Sequence, residues 1–294
     1  MTAISAYLNG LKWSIQNIKI WIWLYLCNFL LAALAAIPLM SLLEEKLGYS
    51  FAAQQLMEGF DYTVYTDFMR EYGAAVLPIL SQSTLLIIFY VFLSVFLMGG
   101  ILETCKNVPQ KAHFQSFAVG SIKYFWKLFF ITLCFLVIHG LVFFLFFNLF
   151  MSLIHGGDLK QLDSELVIYW RGGIVLGIYL FFAGIILTIH DFAKIYLVEH
   201  NPKWIFTAIK NGIQLVFKNF RATFFLSILN WLIFGLLSFI YLQLRGDDLN
   251  STVGGLWFIF ILGQVFILIK MGLKILNLAS KTGLYKQISS EKMT

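Results

Sequence analysis

Residues 4–30, ISAYLNGLKWSIQNIKIWIWLYLCNFL, return at 206–232 as FTAIKNGIQLVFKNFRATFFLSILNWL. Ala6, Asn9, Gly10, Asn17 and Asn28 of the first copy stand where the second has Ala208, Asn211, Gly212, Asn219 and Asn230, each pair 202 positions apart. The whole chain has eleven asparagines, so three pairs on one offset mark an internal repeat. The flanks agree as well, Leu26-Cys27-Asn28-Phe29-Leu30 against Ile228-Leu229-Asn230-Trp231-Leu232.

Both copies run from a mixed segment into a long apolar one. With 60% hydrophobic residues and 12% charged, the chain is not a water-soluble globule. Six apolar stretches carry the excess: 20–40, 85–102, 128–154, 172–189, 222–244 and 251–269. Each is long enough to cross roughly 30 Å of hydrocarbon at about 1.5 Å per helical residue. None alternates as a membrane barrel strand would, so helices are the spanning element. The first stretch is too long for a secretory leader, and its match to the fifth marks it as a retained span.

Lysine and arginine set the orientation. The N-terminal segment, the connections 103–127 and 190–221, and the segment from Lys270 hold 16 of the 21 basic residues. The connections 43–83, 155–171 and 245–252 hold 11 of the 15 acidic ones. Both termini are therefore expected in the cytoplasm, with the protein multi-pass in the inner membrane of a bacterium. The basic charge is divided among membrane-proximal segments, which is a poor pattern for nucleic-acid binding, and the lipid bilayer is the expected partner.

On this topology the repeat becomes a structural unit. Residues 5–18 set Ala6, Leu8, Leu11, Ile15 and Ile18 among Asn9, Lys12, Gln16 and Asn17, and 206–220 behave likewise. Both are expected as amphipathic helices along the inner membrane surface, turning at Asn17 and Asn219 into outward spans. Asparagine suits such a turn because it caps helix ends. A third, fainter copy sets Ser116–Gly120 on Ala6–Gly10 and Lys127 on Asn17, without the asparagines. The expected fold is an all-α membrane protein with six transmembrane helices in three pseudo-repeats. Each repeat is an interfacial amphipathic helix followed by a transmembrane hairpin (about 4–103, 114–199 and 204–279), within one domain over 1–294. The 43–83 connection alone can build an outer element. A capped helix is expected over 61–69, with Phe51, Leu56, Met57 and Phe60 laying it on the membrane or over the bundle mouth.

The polar residues inside the spans are few. Asn28 and Asn230 share one depth, either joining helices or lining a polar path, and His139 lies near the equivalent depth of the middle unit. Glu103 with Lys106, and Asp191 with Lys194, form acid-x-x-base pairs at the inner ends of the second and fourth spans, where side chains three apart meet. They are either solvated pairs or a cytoplasmic gate, and the sixth span offers Lys270 and Lys274 but no acid. Gly173 and Gly177, with Gly184 beyond, form a small-residue stripe expected to pack within the chain or against a second copy. Cys27, Cys105 and Cys134 have no metal-ligand spacing and read as packing residues. No cofactor or metal site is expected. Neither a phosphate-binding glycine loop, nor HExxH, nor GxSxG occurs, so enzymatic activity is not expected.

The sequence Asp191-x-Ala193-Lys194, a short basic connection, then Ala208-x-x-x-Gly212 and a new span resembles a broad family of uncharacterised bacterial six-span proteins. That family is related to the membrane domain attached to some glycerophosphodiester phosphodiesterases. The resemblance implies a six-span membrane domain and brings no catalytic residues, since the phosphodiesterase chemistry belongs to a separate soluble domain. The leading function is a non-enzymatic scaffold, accessory subunit or lipid-handling protein, with a membrane-protein partner or a second copy as possible company. The alternative is a small-solute or lipid permease using a pseudo-threefold six-helix bundle.

Overall fold

The computed structural model of the protein describes residues 3–48, 61–108, 110–155, 165–246 and 252–290. Among these residues there are eight helices and no strand. In chain order they are α1 (Ala3–Gln16), α2 (Ile18–Leu47), α3 (Tyr62–Cys105), α4 (Phe114–His155), α5 (Glu165–His200), α6 (Ile205–Lys218), α7 (Phe220–Arg245) and α8 (Val253–Ser290). Six of them, α2, α3, α4, α5, α7 and α8, are long and apolar enough to cross a membrane.

The helix breaks follow the asparagines. Asn17 separates α1 from α2 with φ −110° and ψ 36°, and Asn219 separates α6 from α7 with φ −122° and ψ 38°. At Asn219 both the backbone N–H (3.0 Å) and Nδ2 (3.1 Å) donate to the Leu215 carbonyl, closing the last turn of α6. At Asn17 the backbone N–H reaches Ser14 O at 3.1 Å, and the side chain gives α2 no cap hydrogen bond. In the middle of the chain Lys127 stands at the matching place, and α4 passes through it without a break. A separate interfacial helix was expected there. Lysine is a good helix former with no short polar side chain to compete for the backbone, so nothing stops the helix.

A second difference lies in the 43–83 connection. Asp61 caps a helix as expected, its Oδ1 accepting from the backbone N–H of Thr63 (2.7 Å) and Val64 (3.2 Å). That helix does not end near 69 but continues to Cys105 as α3, with Pro78 inside it. Arg70 through Val76 offer no helix-stopping sequence, and Pro78 removes one backbone donor without ending the run. Phe51, Leu56, Met57 and Phe60 lie outside the described residues.

The chain divides into two compact units. Unit 1 comprises Met1–Trp13, Met98–Leu229 and Asn277–Thr294; unit 2 comprises Ser14–Leu97 and Asn230–Leu276. In unit 2, Tyr25 Oη of α2 donates to Gln264 Oε1 of α8 at 2.9 Å, and Ser14 Oγ at the end of α1, which accepts from Trp21 Nε1 of α2, donates to Gly272 O of α8. Tyr241 stacks on Phe266 with ring centroids 4.6 Å apart, linking α7 to α8.

Unit 1 is held by close backbone approaches. A Cβ on Gly10 of α1 would fall 2.8 Å from Ser280 N of α8, and one on Gly212 of α6 would fall 2.9 Å from Ala193 Cα of α5. A Cβ on Gly120 of α4 would meet Glu103 of α3 and lie 2.9 Å from Gly99 O. Three helices thus each dock by one glycine on the end of another. Ile101, Phe192, Ala193, Ile195 and Leu197 of this unit are buried. Burial is far lower in the apolar stretches, reaching 0% in that of α2 and 11% in that of α8.

Gly173 and Gly177 of the α5 stripe take no part in this packing. Among the described residues no atom lies within 4 Å of where a Cβ of either would sit, although packing within the chain was the favoured expectation. Close helix contact uses Gly212, Gly10 and Gly120 instead.

Candidate functional site

The most concentrated polar chemistry lies in unit 1, where the ends of α3, α5 and α8 carry charge into buried surroundings. Asp191 follows His190 and precedes Phe192 on α5, with the buried Ile189 and Ala193 close by in the chain. A carboxylate so placed loses its water and needs partners. Lys281 Nζ, on α8, donates to Asp191 Oδ2 at 2.7 Å, and Asn277 Nδ2, one helical turn earlier, donates to the same oxygen at 3.2 Å. Lys194 Nζ lies 3.8 Å from Asp191 Oδ1. Two ammonium groups therefore share one carboxylate, and both are deeply buried, Lys281 at 2% exposure and Lys194 at 6%. A buried pair of this kind adds little net stability but strongly penalises any arrangement that separates its members.

Next to this cluster, the His190 ring stacks on Phe135 of α4 with centroids 4.5 Å apart. Thr188 Oγ1 donates to Gly184 O, and it is 2.9 Å from Ser227 Oγ of α7.

A second cluster surrounds the end of α3. Lys106 Nζ is 2.9 Å from Glu103 Oε2 and donates to Tyr124 Oη at 3.1 Å. Burial works against the charge of Lys106, but the hydrogen bonds to Glu103 and Tyr124 outweigh it and raise the lysine pKa above its ordinary value. Lys286 of α8 donates to the Lys106 carbonyl and stands 3.8 Å from Glu199 Oε1 of α5. Tyr285 Oη is 3.3 Å from His200 Nδ1, whose ring also stacks on Tyr196. Residues 277–286 of α8 therefore reach α3 and α5 together. Trp13 Nε1 of α1 adds a bond to Gln110 O at 2.7 Å.

The residues singled out by sequence fall into distinct places. Glu103 and Lys106 form one local pair, Asp191 and Lys194 another. Lys281, the nearer partner of Asp191, was not anticipated. The signal available was Asn277-x-x-x-Lys281, a polar pair four apart inside an apolar helix, one turn beyond the Lys270 and Lys274 considered. Asn28 belongs to unit 2, where Nδ2 donates to Leu24 O of its own helix (2.6 Å) and approaches Met271 Sδ (3.8 Å). Asn230 is also in unit 2 and is 7% exposed. His139 is in unit 1, half-buried, its Nε2 without a hydrogen-bond partner among the described residues. On α1 the exposed Asn9 precedes the buried Gly10, and the buried Asn17 stands at the break after α1. Asn211 Nδ2 bonds Thr207 O at 2.7 Å, a local helix contact next to Gly212.

Among the described residues no group of three or more His, Cys, Asp or Glu side chains could hold a metal ion. Comparison with protein-family models, with curated proteins and with solved structures finds no match to the chain.

Proposed function

We propose that the chain is a non-enzymatic multi-pass protein of the bacterial cytoplasmic membrane, acting as a scaffold or accessory subunit or in lipid handling, with both termini cytoplasmic. The observation that carries this is the contrast in burial. The most apolar stretches of the spans turn their side chains outward, as with Leu34 (54% exposed), Ile88 (52%) and Leu236 (60%), while the charged groups at the ends of α3, α5 and α8 are paired inside the protein. Such surfaces are made for lipid or for another membrane protein. The proposed architecture is three pseudo-repeats, the first and third an amphipathic interfacial helix followed by a hairpin, the middle one a hairpin whose first helix, α4, is continuous. It is supported by the helix breaks at Asn17 and Asn219 and by the glycine contacts at Gly10, Gly120 and Gly212. Kinship with the membrane domain of glycerophosphodiester phosphodiesterases belongs to the same proposal.

A photo-crosslinking residue at Leu34, Ile88 or Leu236 in native membranes tests the function. Adducts to one membrane protein or to phospholipid are expected. The permease reading has one observation in its favour, the Asp191–Lys281 pair tying α5 to α8, which is what a gate between repeats would need. Uptake of a labelled solute by proteoliposomes, abolished by Asp191→Asn in a folded protein and accompanied by no crosslinks, would establish it instead. Single cysteines at Gly246 and Asn201 test the orientation, because a membrane-impermeant maleimide should reach the first in intact cells and the second only after permeabilisation.

A further inference from the structure

The face of α6 opposite its packed stripe is open and mixed in character. Ala208, Gly212, Leu215 and Val216 are buried. Across the helix Phe206 is 72% exposed, and Lys203 and Lys210 are exposed beside it, with Trp204 at the helix start 67% exposed. Lys127 Nζ donates to Asn201 Oδ1 at 2.7 Å and to Pro202 O at 2.8 Å, which pins the head of α6 beside α4. There Trp126 is 63% exposed and Lys123 is exposed one turn earlier. No aspartate or glutamate occurs in 107–127 or in 201–221.

We infer that this surface binds the anionic headgroups of phospholipids in preference to zwitterionic ones. Tryptophan partitions to the boundary of headgroups and acyl chains, and phenylalanine on a surface-lying helix inserts at the same boundary. Lysines near that boundary each attract anionic lipid by about 1 kcal/mol, roughly a fivefold effect. Charge alone would also suit an acidic peptide. Two features favour lipid: the aromatic rings alternate with the ammonium groups, and Asn219 alone separates α6 from the apolar helix α7. The inference rests on the membrane-embedded reading proposed above and adds the lipid class.

The test uses the purified chain in nanodiscs of phosphatidylcholine and phosphatidylglycerol, with bromine on the chains of one lipid at a time. The difference in tryptophan quenching between the wild type and Trp126→Phe/Trp204→Phe isolates these two rings. Brominated phosphatidylglycerol is expected to quench that component at about threefold lower mole fraction than brominated phosphatidylcholine in low salt. The preference should vanish in Lys123→Gln/Lys203→Gln/Lys210→Gln, and equally in wild type at high salt, where surface attraction is screened. Equal quenching by the two lipids in low salt overturns the inference while leaving the membrane placement intact. Quenching by neither lipid overturns both, since the rings would then lie away from acyl chains.

Discussion

Lys281 Nζ donates to Asp191 Oδ2 at 2.7 Å across 90 positions of sequence. The bond joins α8 to α5, and it converts what sequence spacing presents as a local Asp191–Lys194 pair into a link between helices. Lys281 is 2% exposed, so its charge has little access to water if the carboxylate is lost.

Asp191→Asn is therefore expected to be more costly than Lys281→Met. The first leaves two buried ammonium groups without their carboxylate, a loss of about 3–5 kcal/mol. The second leaves Asp191 with Lys194 and Asn277, and should cost less. The double variant should recover most of the stability lost in Asp191→Asn. Denaturation of the four proteins in detergent gives the answer, and additive losses in the double variant would dismiss the inter-helix pair as a determinant.

Glycine positions on two helices should respond in opposite ways. Gly212→Leu must force α6 away from Ala193 and is expected to lose about 1–3 kcal/mol through overpacking. A Cβ at Gly177 meets no described atom within 4 Å, so Gly177→Leu should escape that overpacking loss. Thermal unfolding of both would decide; comparable losses would mean that the α5 stripe is packed after all.

The asparagine breaks should be visible to hydrogen exchange. The first backbone donors after a break have no partner within their helix. Amides of Ile18, Lys19, Phe220 and Arg221 are expected to exchange faster than those of Lys127 and Leu128, which lie inside α4. Fast exchange at Lys127, or uniform protection at Ile18, Lys19, Phe220 and Arg221, would contradict the described helix boundaries.

The six apolar helices were legible because membrane length and hydrophobicity are local properties of a sequence. So were the turns, since asparagine at 17 and 219 competes with the helix backbone whatever packs around it. Local signals were insufficient at Lys127 and at Tyr62. The faint third copy invited a break that lysine does not make, and the acidic cap at Asp61 marked where α3 starts without showing how far it runs. Lys281 was missed for a different reason. Pairing across 90 positions depends on which helix ends meet, and a short-range search for acid-x-x-base pairs cannot see that. The Gly173 stripe shows the converse, since a spacing fit for close contact stays open when no helix comes to it.

The bonds made by residues 277–286 carry a consequence for biosynthesis. Chains emerge from the ribosome N-terminus first, so Asp191, Glu199 and the Lys106 carbonyl are all produced well before Lys281 and Lys286 exist. The nascent protein must hold a half-made polar cluster until α8 follows. During that interval Asp191 has Lys194 alone of its two lysines, at 3.8 Å. The cluster at the ends of α3 and α5 is therefore completed only once α8, the last of the described helices, has been made.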